Sequence, residues 1–104
     1  MIPRNLYEQV IFEAIRKGST VIAPDVQAAF RQAIEKESRP AAKEGLSKTF
    51  DSILLSAKNG NPACPDTGWP IFYFKIGNEA VLEGGMMALE EATRNAVRRA
   101  RCGC

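Results

Sequence analysis

Residues 61–77, Asn-Pro-Ala-Cys-Pro-Asp-Thr-Gly-Trp-Pro-Ile-Phe-Tyr-Phe-Lys-Ile-Gly, divide this chain into a helical front and a helical rear. Pro62, Pro65 and Pro70 fix φ and remove backbone donors, so no helix runs through the stretch. Gly68 allows a sharp turn. Trp69 to Ile76 is the densest apolar run in the chain, with Ile71 and Tyr73 on one face and Phe72, Phe74 and Ile76 on the other. Apolar groups on both faces predict a strand covered on both sides. Pro70 falls near its start, where a missing donor is tolerated. A single strand is not a sheet, so its partners are expected in further sequence or in another chain.

The flanks read as helices. Residues 4–17 place Leu6, Val10, Ile11, Ala14 and Ile15 at helical spacing, and Gly18 suits the stop. Thr20, Val21 and Ile22 suggest a brief extended piece. Pro24-Asp25 opens a second helix with an apolar stripe of Val26, Ala29, Phe30, Ala33 and Ile34. Pro40 ends that helix through its effect on Arg39 and opens a third, 40–58, buried through Leu46, Phe50, Ile53, Leu54 and Ala57. Asn59-Gly60 is a strong stop. A last helix lies within 80–101, its start blurred by Gly84-Gly85. Its inner face is Met86, Leu89, Thr93, Ala96, Val97 and Ala100, and Glu90–Arg94 falls at i,i+4.

Length and charge narrow the function. One hundred and four residues make one domain. The net charge of +2 is too balanced to argue for nucleic acid or an anionic membrane as partner. No run reaches the roughly 18 apolar residues of a membrane span, and residues 1–5 do not open a signal peptide, so a cytoplasmic location is expected. The chain has no histidine, the commonest general base and metal ligand. Catalysis would rest on carboxylates, thiols, lysines or a metal. Three cysteines, an odd number, argue against a disulfide framework and leave metal binding or free thiols open.

Cys64 is the thiol with a setting. A cysteine taken alone is most often a small buried hydrophobe. Here Pro62 and Pro65 stiffen both sides, Asp66 or Thr67 can cap or orient the turn, and Gly68 releases it. Such a turn presents a thiolate. At this point the chain resembles a known family. Residues 61–77 are similar to the cysteine motif of the class I (iron–sulfur) fumarate hydratases and tartrate dehydratases, a Pro-x-Cys-Gln-Asp-Thr-Gly turn followed by an apolar strand ending in Lys-x-Gly. The helical lead-in Ile22 to Lys58 and the final helix around Ala88 to Ala100 look like the same family, so the resemblance covers roughly residues 6–101.

The resemblance implies a hydro-lyase whose [4Fe–4S] cluster is held by three cysteines, with Cys64 the first of them. It places Asp66 beside the substrate and gives Thr67 and Gly68 the shaping of the loop. The substrate class it implies is a dicarboxylate or hydroxy-dicarboxylate (fumarate/malate or tartrate). It also implies a β subunit and homo-dimerisation of the full enzyme. The chain departs from the pattern in three ways. Pro65 replaces the family's glutamine and removes a side-chain amide. The other two cluster cysteines of the family lie downstream of residue 104, and Cys102 and Cys104 do not match them. The arginine-containing segment after the last helix is replaced by Arg101-Cys102-Gly103-Cys104. No residue is assigned as the catalytic base, and the chain alone is not expected to be active.

Two other clusters have plainer readings. Arg94, Arg98, Arg99 and Arg101 suit the negative end of a helix dipole better than a bound anion. Trp69, Phe72, Tyr73 and Phe74 suit a core strand better than base stacking, since no basic groove accompanies them. The expected architecture is therefore α+β and mainly α-helical, with about four helices around one buried strand. It forms residues 1–104 of a larger catalytic domain, the N-terminal part of an α subunit. The alternatives are a non-catalytic assembly module that pairs with a partner subunit, and a small thiol or metal-binding module that uses Cys102 and Cys104.

Overall fold

The computed structural model describes residues 1–64 and 68–102, with Cys102 described only by its place in a helix. The described residues form four helices: α1 (Arg4–Thr20), α2 (Pro24–Lys36), α3 (Pro40–Lys58) and α4 (Gly85–Cys102). Proline stands at the first turn of both α2 and α3, where its missing N–H has no intrahelical partner to lose. Helix α2 stops at Glu37, whose N–H donates to Ala33 O. Helix α3 stops in a Schellman motif. Gly60 has φ 70°, its N–H donates to Ala57 O at 3.2 Å, and the Asn61 N–H donates to Ser56 O at 2.8 Å.

The chain divides into two compact units, which are described separately. The first is Met1–Lys17 with Gly68–Cys104. Its core joins Tyr7 and Ile11 of α1 to Leu89, Ala92 and Ala96 of α4, with Phe72 and Leu82 packed on the edge. Ala92 and Ala96 are fully buried. The face of α4 that is buried thus runs through Ala88, Leu89, Ala92 and Ala96, while Met86, expected inside, is 64% exposed.

The same unit ties the N-terminus to the segment before α4. Ile2 and Leu82 form a parallel bridge: the Ile2 N–H donates to Val81 O at 2.7 Å, and the Glu83 N–H donates to Ile2 O at 2.9 Å. The Glu83 carboxylate accepts from the Arg4 N–H, and the Glu83 carbonyl accepts from the Tyr7 hydroxyl. The Arg4 guanidinium pairs with Glu91 at 3.2 Å. Gly84 and Gly85, both at positive φ (81° and 74°), then turn the chain into α4.

The second unit, Gly18–Thr67, pairs α2 with α3. Its contact is aromatic. Phe30 stacks on Phe50 at a centroid distance of 5.3 Å, and the Arg31 guanidinium lies over the Phe50 ring. Phe50 is buried, but no residue of α2 is. The Thr20–Ile22 piece expected to be extended instead begins as the last residue of α1, where Thr20 is buried.

The expected buried strand is absent. Among the described residues there is no β-sheet, only the Ile2–Leu82 bridge. Residues 69–76 lie on the surface, with Trp69 94%, Ile71 73% and Tyr73 92% exposed. The picture of four helices around one buried strand is corrected to four helices with an uncovered segment between α3 and α4. The physical reason is a missing ladder: an isolated strand leaves its backbone groups unpaired, and nothing in the described chain lies beside it to pair them.

Candidate functional site

The cysteine turn follows directly from the Schellman stop of α3. Asn61 and Pro62 are exposed, and Ala63 is half-buried. The Ala63 N–H donates to Ser19 O at 2.8 Å, which ties the turn to the last residues of α1. The next residue, Cys64, carries a free, exposed thiol. The sequence gave no hint of the bond between Ala63 and Ser19, which joins residues far apart in the chain.

Asp66 and Thr67, the residues expected on the substrate side, lie outside the described residues, as do Pro65 and Cys104. Among the described residues no three histidine, cysteine or acidic side chains gather to hold a metal. Cys64 is the one described cysteine side chain, and no two other described donors gather with it. The described residues alone do not make a metal site.

A second concave surface runs along α4 in the first unit. It is a groove of about 670 Å³ walled by Pro70, Phe72, Phe74, Met86, Leu89 and Val97. Glu90, Thr93, Arg94 and Arg98 complete its rim. Arg94 is already paired with Glu90 at 2.8 Å, the i,i+4 pair expected from the sequence. Arg99 is spent elsewhere, with its guanidinium 4.4 Å from the Phe12 ring centroid. The groove is mostly apolar and open, unlike an enclosed pocket for a small dicarboxylate. Sequence reasoning missed it, because it arises from the failure of residues 69–76 to bury both faces.

No helix among the described residues is long and apolar enough to cross a membrane. No solved structure matches the chain. A curated relative, the Methanocaldococcus jannaschii protein named "Putative L(+)-tartrate dehydratase subunit alpha", is 29% identical over 91 residues. That alignment takes in 88% of this chain and 32% of the relative, so the chain spans about a third of the length of the protein it matches. The family model described as fumarate hydratase (Fumerase) matches residues 8–102, from the first turns of α1 through the cysteine turn to the end of α4. With nearly its whole length inside that match, the chain belongs to the fumarate hydratase (Fumerase) family, which here includes a relative named as a tartrate dehydratase α subunit.

Proposed function

We propose that residues 1–104 are the α-subunit segment of an iron–sulfur hydro-lyase, its N-terminal part, acting on fumarate/malate or tartrate. The observation that carries this reading is the presentation of Cys64, an exposed thiol on an anchored turn, inside the family match. In this reading Cys64 is one of three thiolates of a [4Fe–4S] cluster, and the other two come from polypeptide beyond these residues. When bound, such a cluster supplies an iron that polarises substrate oxygens. Asp66 and Thr67 follow two and three residues after the thiolate, so the turn that holds the cluster also carries a carboxylate and a hydroxyl to orient a substrate hydroxyl group. Pro65, between Cys64 and Asp66, offers no side-chain donor. No residue of this chain is assigned the proton transfer. A β subunit as partner is taken from the name of the relative, and a reducing cytoplasm suits a free thiol.

The test is anaerobic reconstitution with iron and sulfide of this chain together with the polypeptide that supplies the other two cysteines. Bound iron and sulfide, and turnover of fumarate and of tartrate, are measured for the wild type and for Cys64→Ser. Loss of cluster in the variant, with helical content unchanged, is expected. A full iron load without the Cys64 thiol overturns the reading. A non-catalytic assembly role is favoured by one observation, the exposure of Trp69, Ile71 and Tyr73.

A further inference from the structure

We draw no further inference here: the strongest candidate, the apolar groove along α4 walled by Pro70, Phe72, Phe74, Met86, Leu89 and Val97, carries nothing, because nothing in the structure shows what covers it.

Discussion

Glu83 holds the first turn of α1 from a position 79 residues away: its carboxylate accepts the Arg4 N–H at 2.6 Å. The first four N–H groups of a helix lack intrahelical acceptors, and a negative charge beside them also meets the positive end of the helix dipole. Glu83 therefore acts as a long-range cap for a helix that lacks an acidic residue in its own first turn. Replacing it with alanine is expected to lower stability by about 1 kcal/mol, the usual size of a lost cap. Glu83→Gln, which keeps an acceptor but loses the charge, is expected to cost less. Urea unfolding of the two variants tests this; equal losses would remove the charge from the account.

Gly84 and Gly45 predict opposite signs for the same substitution. At Gly84 φ is +81°, and an added Cβ would lie 2.6 Å from the Ala88 Cβ, so Gly84→Ala is expected to cost about 1–3 kcal/mol. Gly45 lies inside α3 with nothing within 4 Å of a built Cβ. Gly45→Ala is expected to stabilise by up to about 1 kcal/mol through helix propensity. Thermal melts of the two single variants give both signs directly.

The alanine seam of α4 predicts intolerance to size. Ala92 and Ala96 are fully buried beside Tyr7 and Ile11. Ala92→Leu is expected to overpack this core and cost about 1–3 kcal/mol. Leucine is otherwise a good helix former, so a neutral result would show that the seam has room to spare.

Tyr7 offers a finer probe of the same region. Its hydroxyl donates to the Glu83 carbonyl at 2.7 Å while its ring sits in the core. Tyr7→Phe keeps the ring and removes the bond. A loss of about 0.5–1.5 kcal/mol is expected, with the slope of unfolding against urea unchanged.

Much of the helical layout was legible because its punctuation is local. Pro24, Pro40 and the Asn59-Gly60 pair mark their boundaries by steric rules that hold whatever the tertiary structure. What depended on distant partners was not legible. The burial of Tyr7 rests on a carbonyl at residue 83, and the bond between Ala63 and Ser19 on the return of the chain past α1. On α4, a reading that favours large apolar residues chose Met86 and passed over Ala88 and Ala92, because alanine signals neither face strongly. The expectation for residues 69–76 failed for a related reason. Apolar residues on both faces state that a cover is required, but the pattern contains no information on which polypeptide supplies it. The family could be recognised from the residues of the cysteine turn, Pro62 to Gly68, because that signature is local in sequence, whereas among the described residues no three metal donors gather.

The bridge between Ile2 and Leu82 has a consequence in time. The unit built on α2 and α3 is continuous in sequence, whereas the other is assembled from the two ends of the chain. During synthesis at roughly 5–20 residues per second, α2 and α3 are complete while α1 still waits, for several seconds, for the strand-like contact, the cap and the alanine seam that α4 and its approach provide. For that interval Tyr7 and Ile11 lack the α4 surface that buries them in the finished unit, so α1 presents an apolar face until α4 arrives.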